Sequence, residues 1–228
     1  MQFSSRDLAA MPSQRRAAFV NSLSGFKSAN LIGTANTSGH TNLAIMSSVV
    51  HLGSHPPLLA LIIRPGGEER HTLANILDSG SFSINHVSAP LIETAHQTAA
   101  RYDQSESEFD ATGLTPYWIN DFTAPMVREA EVKLGMRLRE HQVLQCNQTH
   151  LVIGEVVIAD FPEDSLMAEG ALDLGRCGTV ALSGLDTYYQ PGAVKRMAYA
   201  KPDLPPREIM MAVPSTADAP GSSSPSGG

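Results

Sequence analysis

Two long strand-like segments stand next to each other in the second half of the chain, and they limit the folds that it can adopt. Apolar and basic residues alternate at the start of 133–144, as they do in a strand with one buried face. A segment rich in valine and isoleucine follows over 150–161, and its Gly154 suits a bulge or a close backbone approach. Because only 145–149 separates the two segments, they predict a hairpin and therefore an antiparallel sheet.

The first half of the chain carries further strand-like segments. Residues 29–35 and 41–50 are separated by a turn at Ser38-Gly39 and predict a second hairpin. Residues 58–63 contain no polar side chain, so we expect that strand to be covered on both faces. Residues 82–87 form another strand.

Helical patterns interrupt these strands. We expect helices over 13–23, 72–77 and 91–100, and a solvated loop or short helix over 103–110. The chain has neither a regular alternation of strands and helices nor a GxGxxG motif after a strand, which argues against a doubly wound parallel sheet. The pattern predicts a mainly β protein, built as a small, mostly antiparallel barrel with added helices.

Charge and hydropathy limit the classes of binding partner that the protein can have. The 228 residues include 16 basic and 23 acidic side chains, a net charge of -7, which argues against sequence-independent binding to nucleic acid or to an anionic membrane surface. No apolar run reaches the roughly 20 residues of a membrane-spanning helix, and the first residues lack the apolar core of a signal peptide. We expect a cytoplasmic protein with no membrane contact.

The chain is expected to form one main domain. Residues 1–28 are predicted as a helical extension, 29–200 as the domain, and 201–228 as a disordered tail rich in proline, serine and glycine. Cys146 and Cys177 lie in no CxxC motif and are interpreted as ordinary thiols.

Three other residue patterns have alternative readings. His51 and His55 have metal-ligand spacing for a helix, but Gly53 and the prolines beside them make a helix improbable, so we interpret both as solvated loop residues. Trp118 either anchors the long excursion before it or forms a lid over a ligand. Ser47-Ser48 lies in no GxSxG motif, which disfavours a hydrolase nucleophile.

The stretch 42–72 has the order of parts that a cofactor site needs. Small side chains along its first strand would let a flat ring lie against the backbone. A glycine-rich turn at 66–67 then leads to Arg70, His71 and Thr72 at the start of a predicted helix, where a cation and a hydroxyl suit a phosphate.

These motifs, taken in order, resemble the flavin reductase-like family of FMN-binding split barrels. The resemblance extends over about residues 29–200 and rests on NLAIMSS (42–48), SHPPLLAL (54–61), RHTLANILDSGSFSIN (70–85), SEFDATGLTP (107–116), THLVIGEV (149–156) and LSGLDTYY (182–189). It implies a six-stranded antiparallel split barrel that forms a homodimer, with the flavin near the subunit interface.

The resemblance also implies the residues of the site. The isoalloxazine edge would contact Asn42, Ala44, Ile45, Met46, Ser47 and Ser48. Arg64 would lie at a strand end near the cofactor, and Arg70, His71 and Thr72 would bind the phosphate. Tyr188 or Tyr189 would lie close to the ring, and His150 would be the catalytic histidine.

Two of these residues have a second interpretation. Arg70 could instead pair at the surface with Glu68 or Glu69. A neutral His150 could donate to a flavin carbonyl or a nicotinamide amide, or it could be a strand histidine at a hairpin end. The family has a Gly-Asp pair before this histidine, whereas the present chain has Gln148-Thr149.

The implied function is that of an FMN-dependent oxidoreductase, with FAD as an alternative flavin. It would accept a hydride from NADH or NADPH and pass electrons to free flavin, to a partner oxygenase or to another acceptor. Two alternatives remain: an FMN-binding electron carrier or flavin store without NAD(P)H activity, and a cofactor-free interaction protein with the same barrel.

Overall fold

The structure is a computed structural model that describes residues 1–66, 71–103 and 105–210. Its α-helices are α1 (Ser5–Ala10), α2 (Ser13–Leu23), α3 (His71–Ser79), α4 (Ile92–Gln97) and α5 (Glu108–Thr112), with 3-10 turns at Ala89–Leu91 and Glu163–Ser165. Its strands are β1 (Lys27–Ser28), β2 (Asn30–Ala35), β3 (Thr41–Met46), β4 (Val49–Ser54), β5 (Pro57–Ile63), β6 (Ser81–His86), β7 (Pro116–Tyr117), β8 (Met126–Val127), β9 (Lys133–Val143), β10 (His150–Asp160), β11 (Ala181–Ser183) and β12 (Thr187–Tyr189).

The main sheet has seven strands in the order β3-β2-β6-β9-β10-β5-β4, and every neighbouring pair is antiparallel. Its two edge strands, β3 and β4, follow each other in the chain and are joined only by Ser47-Ser48. So short a connection keeps the end of β3 close to the start of β4, and the sheet therefore curls into a barrel that stays open along this seam. The predicted antiparallel split barrel with added helices is confirmed.

The number of strands differs from the prediction at this seam. The chain bends at Ser47-Ser48, so the predicted strand 41–50 divides into β3 and β4 on opposite edges of the sheet. The second half continues to Ser54, and His51, which we expected in a loop, is an exposed residue of β4. His55 lies in the tight turn between β4 and β5. If β3 and β4 are counted as one bent strand, the main sheet has the predicted six strands.

The apolar residues form two clusters on opposite sides of the strand layer. The inner cluster fills the barrel and is closed at one end by α3; it comprises Ile32, Leu61, Ile63, Ile76, Phe82, Ile84, Met136 and Val152. The outer cluster lies between β2, β3 and the later helices and includes Leu31, Leu43, Leu91, Phe109, Leu114, Val127 and Leu182. Because successive strand residues face opposite sides, Leu31 and Ile32 belong to different clusters.

Two burial predictions are wrong. Strand β5 is not covered on both faces, since Ile62 is 38% exposed on its outer side. Trp118 is 46% exposed and does not anchor the excursion after α4; Phe109 and Leu114, which are 1% and 5% exposed, do so instead. The excursion thus covers the outer face of β3 through α5.

The predicted hairpins and the N-terminal helix are confirmed. Strands β2 and β3 pair antiparallel around Ser38-Gly39, β9 and β10 pair around 144–149, and α2 has the predicted bounds Ser13–Leu23. The helix predicted over 91–100 is shorter, because a 3-10 turn precedes α4 and the helix ends at Gln97. None of the described helices is long and apolar enough to cross a membrane.

The segment predicted as a tail is described only in part. The Ala198 amide donates to the Arg207 carbonyl over 2.8 Å, and the Ile209 amide donates to the Arg196 carbonyl over 2.9 Å. Residues 211–228 lie outside the described residues. Disorder of the tail stays a prediction.

Candidate functional site

A polar cleft lies where the start of α3 meets the β2–β3 hairpin. It is open to solvent and is lined by Asn36, His40, Thr41, Asn42, His71, Asn75 and Glu106. The strand order explains why α3 meets this hairpin. The end of β2, the start of β3 and the end of β5 lie at the same end of the barrel, and α3 crosses that end before β6 begins. Two predicted phosphate residues, His71 and Thr72, and the predicted ring residue Asn42 therefore come together.

Hydrogen bonds between buried side chains fix α3 to the strands below it. The Asn42 amide Nδ2 donates to Thr72 Oγ1 over 2.9 Å, and the Asn75 amide Nδ2 donates to Thr34 Oγ1 over 3.1 Å. Since Thr72 Oγ1 accepts the bond from Asn42, its own hydroxyl proton can still be donated to a ligand.

The free edge of β3 is held by side chains that the sequence did not point to. The Leu43 amide donates to Glu108 Oε2 over 2.8 Å, and the Ile45 amide donates to Thr98 Oγ1 over 3.0 Å. Thr98 is 4% and Glu108 9% exposed. Burial raises the pKa of Glu108, and the opposing effects of the bond from Leu43 and of the nearby His71 are smaller. These acceptors satisfy edge groups that would otherwise need water.

The prediction for 103–110 is wrong at Glu108, which is a buried residue of α5 and not a solvated one. The run of acidic side chains around it gave no sign that one of them would turn inward. The only local sign is Ser107, whose hydroxyl caps α5 by accepting from the Phe109 amide and so places Glu108 in the first turn.

The remaining predicted ring residues follow β3 to the seam. Ala44, Ile45, Met46, Ser47 and Ser48 are all half-buried. Ser48 is tied to β5, since its hydroxyl donates to the Ile62 carbonyl over 2.6 Å and its carbonyl accepts from the Ile62 amide over 3.2 Å. The seam between the two sheet edges thus presents small side chains over fixed backbone.

His150 and Arg64 lie near each other on adjacent strands. His150 opens β10 and pairs in register with Ile63, the last residue of β5, directly before the exposed Arg64. The His150 ring Nδ1 lies 2.9 Å from Nε2 of His141 on β9. Sequence reasoning missed His141, because the predicted turn 145–149 would pair Leu144 with His150 and put His141 on the other face. In the structure His150 pairs with Val143 and His141 with Val152, so both histidines lie on one face.

The two C-terminal tyrosines have different surroundings. The Tyr188 hydroxyl lies 3.0 Å from His96 Nδ1, and its ring packs against the outer cluster beside which Ile45 also lies. Burial, followed by the charge of Asp186, raises the pKa of Tyr188. Tyr189 is 43% exposed and makes an edge contact with Phe26, with ring centroids 4.7 Å apart.

The chemistry of the cleft suits the phosphate end of a nucleotide-like ligand. The first amides of an α-helix have no acceptor within the helix and favour an anion. The imidazole of His71 lines the cleft, and the buried hydroxyl of Thr72 lies directly behind the lining residue Asn42; both can add hydrogen bonds. Glu106 is the acidic member of the lining. Arg70, the predicted cation, lies outside the described residues.

Comparison with known proteins identifies the family. A family model described as flavin reductase like domain matches residues 23–176. The chain is 51% identical to a candidate flavin reductase with a split barrel domain from Shewanella frigidimarina, and that structure covers 88% of this chain and 100% of its own with a TM-score of 0.85.

Two more distant structures share the fold. Nitrilotriacetate monooxygenase component B from Bacillus cereus is 20% identical and has a TM-score of 0.75 over 85% of this chain and 96% of its own. Flavoredoxin of Desulfovibrio vulgaris is 22% identical and has a TM-score of 0.67 over 89% of this chain and 98% of its own. Taken with the family match over the barrel, these findings show that the chain belongs to the flavin reductase like domain family of flavin-related oxidoreductases.

Proposed function

We propose that this protein binds FMN and moves electrons from NADH or NADPH through the flavin to free flavin, to a partner oxygenase or to another acceptor. The observation that carries the proposal is the meeting of β3 and α3 at one barrel end, where Asn42 donates to Thr72 beside the first turn of α3. This arrangement offers a hydroxyl, an imidazole and helix amides to a phosphate, and it joins them directly to the strand that would support the ring.

Each proposed residue has a role that its surroundings allow. Thr72 and His71 would donate to the phosphate, with Arg70 as the cation. Ala44 to Ser48 would leave room for a flat ring against the backbone, and Glu108 and Thr98 would keep that strand in place. When bound, the flavin supplies the hydride and electron chemistry. His150 would donate a hydrogen bond to a carbonyl at the barrel mouth.

We also propose a homodimer in which the second subunit completes the ring site. The cleft is open to solvent and lined by polar side chains, whereas small-molecule pockets bury most of the ligand and are lined mainly by apolar side chains. Such a cleft suits the phosphate end of FMN, and we propose that the second subunit supplies the wall that the ring needs.

The absorption spectrum of the purified, desalted protein tests the proposal. We expect a yellow protein, or one that turns yellow with added FMN, and anaerobic bleaching when NADH or NADPH is added. The preferred nucleotide follows from which one bleaches the flavin faster. A colourless protein that does not bind added FMN would contradict the proposal.

A matched pair of variants tests the phosphate site. Thr72→Val removes the hydroxyl while nearly preserving shape, and Thr72→Ser keeps the hydroxyl. We expect Thr72→Val to weaken FMN binding about tenfold, the effect of one charge-assisted hydrogen bond, and Thr72→Ser to bind almost normally. Equal affinities for both variants would place the phosphate elsewhere.

A second candidate is an FMN-binding electron carrier without NAD(P)H activity. It is favoured by the Gln148-Thr149 pair that stands before His150 where the family has Gly-Asp. The flavoredoxin of Desulfovibrio vulgaris shares the fold. A yellow protein that ignores both nucleotides, yet is reduced rapidly by dithionite, would select this candidate.

A further inference from the structure

His141 and His150 form a pair of imidazole rings at the mouth of the barrel. They extend from neighbouring strands on the face that also carries the buried Val152, because His141 pairs in register with Val152 and His150 lies two residues before it. Both side chains are half-buried. Nothing in the sequence assigns a role to His141.

The two rings lie end to end and not face to face. Their planes differ by 13° and their centroids are 5.2 Å apart, while His141 Nε2 and His150 Nδ1 are 2.9 Å apart. The centroid separation exceeds the nitrogen separation by about the diameter of one imidazole ring. Both nitrogens must therefore lie on the line between the centroids, so the rings are nearly coplanar and a linear N–H···N hydrogen bond joins them.

The direction of this bond follows from the nitrogens involved. One nitrogen must donate and the other must accept, so a neutral pair has only two arrangements. If His141 Nε2–H donates, both rings carry their proton on Nε2, which is the tautomer that free neutral histidine prefers. The reverse direction would put both rings in the less stable Nδ1–H form. The first arrangement is therefore favoured.

The first arrangement directs the remaining proton of His150 toward a ligand. Among the residues that the structure describes, His150 Nε2 has no hydrogen-bond partner. The position is next to the end of β5, where Ile63 pairs with His150 and Arg64 follows. A carbonyl oxygen of a flavin ring or of a nicotinamide amide is an acceptor of the required kind.

We propose that His141 is a positioning residue that fixes His150 as an Nε2–H donor at the barrel mouth. His141 does not itself contact the reacting atoms. This inference rests on the proposed function for the identity of the acceptor, but the tautomer it assigns to His150 belongs to the protein alone and can be measured without flavin.

Ring ¹⁵N NMR of histidine-labelled, flavin-free protein tests the proposal. At pH about 8.5, where free imidazole is neutral, we expect His150 Nδ1 in the range of an unprotonated acceptor and Nε2 in the range of a protonated nitrogen. His141→Phe should shift both His150 signals toward the average of the two tautomers. His141→Gln keeps a side-chain donor and should restore much of the original pattern. His55→Phe, in the exposed turn after β4, is the matched control and should leave His150 unchanged.

A kinetic measurement adds a functional readout. In the flavin-loaded protein, we expect His141→Phe to lower kcat/KM for the reduced nicotinamide by roughly fivefold to tenfold, with recovery in His141→Gln. An Nδ1–H tautomer of His150 in the unmodified protein, or His150 signals that stay the same in folded His141→Phe, would overturn the proposal. Failure to bind flavin would overturn the proposed function but leave the NMR result standing, so the two failures are distinguishable.

Discussion

At the scale of single residues, His86 makes the stability of the fold depend on pH. This half-buried histidine ends β6, and the loss of hydration on burial lowers its pKa to about 4 from the ordinary value of 6.5. Because the folded-state pKa lies below the unfolded one, the unfolded chain binds a proton at a pH where the native protein does not. The stability present above pH 6.5 is lost as the pH falls through the folded-state pKa.

We expect the free energy of unfolding to decrease by up to roughly 3 kcal/mol between pH 7 and pH 4 because of this one residue. His86→Gln should flatten that part of the curve, since glutamine does not titrate. Urea unfolding at several pH values measures the effect, with His55→Gln as the control at an exposed position. If the free energy of unfolding falls with pH equally in the native protein and in His86→Gln, the effect does not come from His86.

The buried Glu108 has the opposite effect on how stability depends on pH. Burial raises its pKa, so its stabilising contribution is complete below the unfolded pKa of about 4.5 and is lost as the pH rises through the folded-state value. The carboxylate nevertheless accepts the Leu43 amide on β3. Its charge and its hydrogen bond therefore act in opposite directions at neutral pH.

Two substitutions separate the charge from the bond. Glu108→Gln retains an oxygen acceptor and removes the buried charge, so we expect stability at pH 7 to stay within about 1 kcal/mol of the native value. Glu108→Ala leaves the Leu43 amide without its acceptor and should cost about 1–3 kcal/mol. Denaturant unfolding of both variants measures the difference. Equal losses would show that the bond to β3 contributes nothing.

At the scale of elements, the long hairpin of β9 and β10 depends on a glycine at its bulge. The register of the β9–β10 pairing shifts between Ile153 and Gly154, where β10 passes directly over Phe82 of β6. A Cβ at position 154 would lie 2.7 Å from Phe82 Cζ and 3.2 Å from Met136 Cε. The sequence predicted a bulge or a close approach at this glycine, and the structure contains both.

We expect Gly154→Ala to destabilise the protein by about 1–3 kcal/mol, because the inner cluster has no room for the added methyl group. Gly53→Ala on the edge strand β4 is the matched control, since a Cβ there would meet only the Pro56 carbonyl oxygen at 3.5 Å, an ordinary contact. Thermal or urea unfolding of the two variants provides the comparison. A Gly154→Ala protein as stable as Gly53→Ala would contradict the packing argument.

At the scale of the whole molecule, local sequence patterns predicted where the strands and helices lie better than they predicted which of them are in contact. Alternation located the strands, and the turns located both hairpins, because these signals depend on neighbouring residues. The bend at Ser47-Ser48 and the position of β6 between β2 and β9 depend on contacts across the fold. Glu108 was missed because its partner Leu43 is 65 residues away in the sequence, and His141 because its approach to His150 depends on the exact register of the β9–β10 hairpin.

The outer face of the barrel bears on the assembly of the whole molecule. Val50 and Ile62 are 53% and 38% exposed there. They share this face with Leu151 and Ile153, since Ile62 pairs with Leu151 and both Val50 and Ile153 pair with Ala60. Large apolar side chains that are exposed together on one sheet face are typical of an interaction surface.

We therefore predict that two copies associate through this face. Light scattering of the purified protein should give about twice the 24.3 kDa of one chain. The double variant Val50→Lys and Ile62→Lys should give the monomer mass, because lysine charges cannot be buried across such a contact without partners. It should also bind FMN more weakly if the second subunit supplies part of the ring site. Leu185→Lys changes an exposed apolar residue elsewhere, in the turn between β11 and β12, and should remain a dimer. A native protein that stays monomeric at micromolar concentration would contradict the prediction.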